Sequence, residues 1–280
     1  MTHLKQLIQF ALEEDLKNGD ITTEALVDSS RSGEGILRAK QDLVVAGGEV
    51  AKQVFAALDP KIQWESTVPD GKSICNGETI AMCKAPVSIL LKGERTALNF
   101  LQRLCGIATL TRKFIEKVEG TRVKILDTRK TTPGWRELER YAVRMGGGHN
   151  HRLGLFDRYL IKNNHIAITG SLSKAVEKII QNRKKDFLVE VEVRTLKELQ
   201  EALPFPIDIV MLDNFKLEDI SKTVNQARGK VKLEVSGNVS LEDVRAYAET
   251  GVDFISIGAL THSAPAADIH MVIEIGSSPK

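Results

Sequence analysis

The stretch from Lys124 to His165, KILDTRKTTPGWRELERYAVRMGGGHNHRLGLFDRYLIKNNH, decides the fold. It opens on a short apolar run, Val123 to Leu126, that breaks into Asp127, Thr128, Arg129 and Lys130. It closes on a second, Tyr159 to Ile161, that breaks into Lys162, Asn163, Asn164 and His165. Apolar runs of this length separated by one helical segment predict consecutive strands of a parallel sheet, which puts both cationic tails at strand carboxyl ends. That edge is where such sheets and barrels hold their ligands. Between the tails, Gly146, Gly147 and Gly148 run into His149, Asn150, His151 and Arg152. Glycines in such a run serve an ordinary surface turn or a close backbone approach to a ligand, and the neighbouring strand-end cations favour the second.

Working outward, the chain of 280 residues can bury a large core and suits one barrel or two domains. The balance of 39 Lys and Arg against 37 Asp and Glu argues against a broad electrostatic surface for nucleic acid or membrane, so any selection of anions is local. Cys75, Cys83 and Cys105 are odd in number and lack the close pairing of zinc or redox motifs, which suits a reducing cytoplasm. Leu4, Leu7, Ile8, Ala11 and Leu12 have helical spacing but are followed at once by Glu13, Glu14 and Asp15, the pattern of an amphipathic surface helix rather than a signal peptide. No apolar run approaches the ~20 residues of a membrane span.

The first ~85 residues carry closely spaced β-like pieces without regular intervening helices, the texture of a small α+β domain. From Glu94 a long helix is expected, with Leu98, Leu101, Leu104, Ala108, Ile115 and Val118 on one stripe and Gly106 as a bend. Arg95, at its start, reads by itself as a solvated helix residue. Beyond Lys124 the pattern becomes strand, helix, strand, with further strands expected at 187–193, 207–212, 231–235 and 254–257. Six strands rather than eight predict an incomplete α/β barrel, preceded by a small α/β sandwich domain. The boundaries expected are 1–109 for the sandwich, 110–268 for the barrel, and 269–280 for a tail packed back on the first domain. No G-x-G-x-x-G opens a helix to support a dinucleotide site.

Strand after strand then delivers polar groups to one rim: Asp127 with Arg129 and Lys130, Lys162, Glu190 and Glu192, Asp213 and Asn214, Ser236 to Asn238, and Gly258 with Ala259. Any one of these could simply cap the helix that follows. Two lysines and an arginine occupy positions that capping does not favour. Arg grips carboxylates and phosphates through paired hydrogen bonds and Lys acts as a point charge, so a rim holding both suits a polyanion. Glu192 and Asp213 among cations suggest Mg²⁺ or sugar hydroxyls, and Ser236, Gly237, Asn238 and Gly258 suggest a phosphate nest.

Several motifs carry a resemblance. GDITT from Gly19, ERTALNFLQRLCGIAT from Glu94, DTRKTTPG from Asp127, GGGHNHRLGL from Gly146, LIKNNHI from Leu160, MLDN from Met211 and ISIGALTHSAP from Ile255 resemble the quinolinate phosphoribosyltransferase family over essentially the whole chain. The resemblance implies a sandwich domain followed by an incomplete barrel, a homodimer or a higher oligomer, and a cytoplasmic enzyme of NAD synthesis. It implies transfer of phosphoribose from phosphoribosyl pyrophosphate to quinolinate, releasing pyrophosphate and carbon dioxide and leaving nicotinate mononucleotide. Carried over by motif, Arg129, His151, Arg152 and Lys162 surround the quinolinate carboxylates, with Arg95 reaching the partner's site. Lys130 and Lys162 face the phosphates, and Glu192 and Asp213 face the ribose hydroxyls and Mg²⁺, held directly or indirectly. Ser236, Gly237 and Asn238 with Ile257, Gly258 and Ala259 take the 5′-phosphate. On this reading Lys130, Lys162, Glu192 and Asp213 are catalytic. Trp135, where a smaller aliphatic residue is expected, and Ser-Gly-Asn, where Ser-Gly-Gly is more usual, are the departures.

Three alternatives remain open on sequence. One is a class I aldolase with Lys162 as its Schiff base, one a homologue associated with molybdate transport, and one a non-catalytic anion-binding protein. Glu192 and Asp213 weigh against the last, because acids weaken anion binding unless a metal or sugar uses them. His149 and His151 could share a transition metal, but no third ligand has supporting spacing.

Overall fold

A computed structural model describes residues 2–28, 31–227 and 229–275. The chain opens with α1 (Thr2–Leu16), α2 (Ile21–Leu26), β1 (Ser32–Ala39), β2 (Leu43–Val44), α3 (Gly48–Leu58), β3 (Gln63–Ser66), β4 (Ser73–Ile74), β5 (Thr79–Pro86) and α4 (Val87–Lys117). It continues through β6 (Lys124–Leu126), α5 (Arg136–Met145), β7 (Tyr159–Ile161), α6 (Asn163–Thr169), α7 (Leu172–Asn182), β8 (Val189–Val193) and α8 (Leu196–Ala202). It ends with β9 (Ile209–Asp213), α9 (Leu217–Ala227), β10 (Lys232–Ser236), α10 (Val244–Glu249), β11 (Phe254–Ser256), α11 (Ala259–His262) and β12 (Ile269–Ile275). These elements form two compact units, one of 1–112, 132–147 and 264–280 and one of 113–131 and 148–263.

The first unit is built on an antiparallel sheet in the order β12-β1-β5-β3. Its last strand comes from the far end of the chain, with Gly33 opposite Ile275 and Ala39 opposite Ile269. The tail expected at 269–280 is therefore a sheet strand as far as Ile275, and 276–280 lie outside the described residues. The Asn18–Thr23 turn is the entry to α2, where Asp20 caps the helix by accepting the N–H groups of Thr22 and Thr23. The long helix begins at Val87, seven residues before Glu94, and runs unbroken past Gly106. Glycine there answers a close approach, because a Cβ would lie 2.0 Å from the carbonyl oxygen of Pro265. Trp135 stacks on Phe100 with ring centroids 4.6 Å apart, so the larger side chain is absorbed as an aromatic pair within this unit.

The second unit holds a six-stranded sheet in the order β6-β11-β10-β9-β8-β7, and every pairing in it is parallel. The expected strands 187–193, 207–212, 231–235 and 254–257 match β8 to β11 within two residues at each end. The runs 123–126 and 159–161 are consecutive strands of this parallel sheet, and they stand at its two edges. The helix between them, α5, belongs to the first unit, so the connection is no ordinary crossover. Both cationic tails leave from carboxyl ends, as expected. Helices α7 and α8 start under side-chain caps, Ser171 accepting from Lys174 N–H and Thr195 from Glu198 N–H.

The VEVEV strand shows how such an open barrel packs. Val189, Val191 and Val193 are fully buried on one face, and Glu190 and Glu192, two apart, are buried on the other. Alternation that usually marks a half-solvated strand here separates two interiors.

Candidate active site

The carboxyl ends of the strands surround a cavity of about 260 Å³ in the second unit. Thr128, Arg129 and Lys130 reach it after β6, Lys162 after β7, and Glu192 and Asp213 from β8 and β9. Ser236, Gly237 and Asn238 close one side after β10, and Ile257, Gly258 and Ala259 after β11. His151 and Arg152 enter from the segment after the glycines. Of the expected site residues only Arg95 is not among those lining the cavity; it is exposed on α4 in the first unit.

Asp127 was expected on the rim, but it is wholly buried and anchors this segment. Its carboxylate accepts the His151 N–H at 2.7 Å and the Asn150 side-chain amide at 2.6 Å. Backbone bonds from His149 N–H to Ile125 O (2.8 Å) and from Asp127 N–H to His149 O (3.1 Å) lay the segment alongside β6. Asp157 accepts from Leu153 and Gly154 N–H and so closes the turn beyond.

Two guanidiniums dominate one wall. Arg152 is held below its ordinary pKa, first by burial and then by the charge of Arg129. Its Nη1 donates to the carbonyl of Arg158 at 3.1 Å. The Nε of Arg129 is buried without a hydrogen-bond partner. Mutual repulsion and an unmet buried donor are what a site looks like when its anion supplies the missing partner.

Acids on the opposite strands are already balanced. Lys162 Nζ lies 3.6 Å from Glu192, and Arg194 Nε donates to Asp213 at 3.1 Å. Asp213 also accepts from the Asn214 side chain at 3.1 Å. Two carboxylates at neighbouring strand ends are the hard oxygen set that Mg²⁺ takes, and their cations favour contact through water or substrate oxygens over an all-protein cage.

Around Gly237 and Gly258 the backbone is bare. Gly237 has φ +111° and Asn238 φ +47°, so Asn, which tolerates the left-handed region, takes the place where glycine is more usual. A Cβ on Gly258 would sit 3.0 Å from both His262 Nε2 and Lys130 Cδ. The Thr261 hydroxyl donates to the Lys130 carbonyl at 2.9 Å and fixes that residue's backbone. His262, Met211 and Val239 also line the cavity and were not anticipated. His262 lies inside the THSAP motif, one turn after Gly258, and that spacing was the available signal.

Glu190, expected on the rim beside Glu192, is instead fully buried, as is Glu234. His151 Nε2 lies 3.3 Å from Glu190 and 3.4 Å from Glu234, and Arg158 Nη1 is 3.1 Å from Glu190. Burial would raise Glu190, but His151 and Arg158 outweigh it and hold it below the ordinary value. Burial and the Glu190 charge push Glu234 up. Burial resists a second ring proton on His151, while the two carboxylates favour one. That proton could sit only on Nδ1, where the Arg152 N–H already points at 2.7 Å. Two donors cannot face each other at that distance, so this geometry leaves Nδ1 an acceptor and the ring's one proton at Nε2. The same bond bars a metal at Nε2, because a ligating Nε2 requires hydrogen on Nδ1. His149, exposed, does not join this trio of possible ligands.

Comparison with known proteins identifies the family. Residues 20–105 match the model of the quinolinate phosphoribosyl transferase N-terminal domain, and 107–272 that of its C-terminal domain. The chain is 40% identical over 279 residues to a probable nicotinate-nucleotide pyrophosphorylase (carboxylating) of Bacillus subtilis, covering 99% of this chain and 96% of the relative. A quinolinate phosphoribosyltransferase (decarboxylating) 1b of Nicotiana tabacum is 38% identical, covering 97% and 82%. The solved nicotinate-nucleotide pyrophosphorylase of Francisella tularensis superposes with a TM-score of 0.94 at 42% identity, covering 98% and 96%. With both family domains matched in order along the chain, and a cation-walled cavity at the strand ends, the protein belongs to the quinolinate phosphoribosyltransferase family.

Proposed function

We propose that the cavity joins quinolinate to phosphoribosyl pyrophosphate, giving nicotinate mononucleotide, pyrophosphate and carbon dioxide for NAD synthesis in the cytoplasm. The observation that carries this reading is a pair of repelling guanidiniums, Arg129 and Arg152, on a rim that also bears the bare turns of Gly237 and Gly258. A dicarboxylate answers the first and a sugar 5′-phosphate the second.

Arg129 and Arg152 hold the diacid and aim the pyridine nitrogen at the sugar carbon, an orientation effect worth up to roughly 7–11 kcal/mol in ideal cases. As the bond from C1′ to pyrophosphate breaks, its electron pair leaves with the pyrophosphate and positive charge grows on the ribose. Lys130 and Lys162 neutralise the departing oxygens, and Glu192 and Asp213 hold the ribose hydroxyls. The nitrogen lone pair forms the new bond to C1′. The ring nitrogen, now cationic, accommodates the electrons left when the adjacent carboxylate departs as carbon dioxide, and solvent returns a proton to that carbon. Mg²⁺ near Glu192 and Asp213 would supply further charge stabilisation to the leaving group. Arg95, exposed about two turns into the long helix, would reach the neighbouring active site of a homodimer.

A Schiff-base aldolase is disfavoured because Lys162 is half exposed and ion-paired, without the apolar enclosure that activates such a lysine. The relatives' names support the phosphoribosyltransferase reading rather than a role in molybdate transport. Chromatographic detection of nicotinate mononucleotide from quinolinate, phosphoribosyl pyrophosphate and Mg²⁺, lost on chelation and restored by added Mg²⁺, is the expected result. Binding of both substrates by calorimetry without product would overturn the proposal.

A further inference from the structure

Four residues close a ring beneath the diacid wall. His151 Nε2 faces Glu190; the Arg152 N–H donates to His151 Nδ1; Arg152 Nη1 donates to the Arg158 carbonyl; and Arg158 Nη1 returns to Glu190 at 3.1 Å. One buried carboxylate thus anchors both ends of the 151–158 loop, and Arg152 is gripped twice, by its backbone and by its guanidinium. Both ring nitrogens of His151 are engaged within the protein, Nδ1 by Arg152 and Nε2 by the two glutamates.

We infer that Glu190 is a positioning residue that sets the Arg152 guanidinium in the cavity, and that His151 acts through Arg152 rather than by donating a ring proton to the diacid. The inference rests on Arg152 gripping the diacid, as proposed above. Arg158, exposed by only 17%, has its charge met by Glu190, and the closed ring leaves the loop few ways to relax alone. Removing the charge at Glu190 releases both ends of the loop at once. The diacid loses its aligned partner, while the turns at Gly237 and Gly258, carried by other strands, keep their hold on the phosphate. Glu234 differs: burial and the Glu190 charge favour its neutral form, so an amide there changes little.

Steady-state kinetics of Glu190→Gln, Glu234→Gln, Arg158→Gln and Arg152→Ala, each confirmed folded by circular dichroism, separate these roles. Glu190→Gln and Arg158→Gln are expected to raise the KM for quinolinate roughly tenfold or more, as loss of one charge-assisted contact implies. The KM for phosphoribosyl pyrophosphate should stay within about twofold, and Glu234→Gln should stay near the parent protein on both axes. Equal rises for both substrates in Glu190→Gln, or none for quinolinate, overturn the inference. If Arg152→Ala leaves quinolinate binding intact, the clamp fails and this inference falls with it. If only Arg152→Ala is impaired, positioning by Glu190 alone fails. Where the glutamine variants do not fold, ¹⁵N NMR of the unsubstituted protein decides. One protonated and one acceptor nitrogen in the His151 ring is expected at neutral pH, and two protonated nitrogens refute the ring.

Discussion

Replacing Arg129 with Met should make the unliganded protein more stable and the enzyme worse. The Nε of Arg129 is buried with no acceptor, and its charge lies close enough to Arg152 to be felt there. An unmet buried donor costs about 1–3 kcal/mol, and a methionine of similar length keeps the apolar stem packed. At roughly 2–4 °C per kcal/mol for a chain of this general size, thermal unfolding should move up by several degrees. The diacid loses two charge-assisted hydrogen bonds at about 1.5–3 kcal/mol each, so the Kd for quinolinate should rise by roughly 10²- to 10⁴-fold. Thermal melts with and without quinolinate read both effects. The parent protein melts lower when free and gains markedly on binding, whereas Arg129→Met melts higher when free and gains little. A variant that melts lower than the parent and still responds fully to quinolinate would show that the cavity is not poised for a carboxylate at Arg129.

Two further outcomes follow from the same geometry. Lys162→Ala should cut kcat by about 10²- to 10³-fold while leaving the melting profile near that of the parent, because Lys162 is half exposed and the charge it offers is needed mainly as pyrophosphate leaves; single-turnover kinetics report this directly. Gly237→Ala should raise the KM for phosphoribosyl pyrophosphate and lower the melting temperature, because a Cβ would meet Asn214 Oδ1 at 2.2 Å on a backbone with φ +111°.

The sequence was most legible where physics is local. The runs ending at Leu126 and Ile161 were readable as strands because buried parallel strands are short, apolar and abruptly terminated, and that put Arg129, Lys130 and Lys162 at one cavity. Glu190 and Asp127 were misjudged for a shared reason. A polar residue near the end of a barrel strand looks the same in sequence whether it faces the mouth or lies below it, and only three-dimensional partners such as His151 and Arg158 reveal depth. The placing of α5 in the other unit was not legible, because it looks like any crossover helix and its membership rests on long-range contacts that leave no periodic trace. The tail from residue 269 was expected against the first domain, but its pairing as strand β12 went unread because its partner β1 lies more than two hundred residues earlier.

The chain passes between its two units at residues 112, 131, 147 and 263. Recombination that swapped one unit for a foreign version would have to exchange several separate gene segments at once, and any single crossover would sever a fold midway. Such interlacing makes the pair inherit as a block: neither half can be borrowed, duplicated or lost by a lone genetic event.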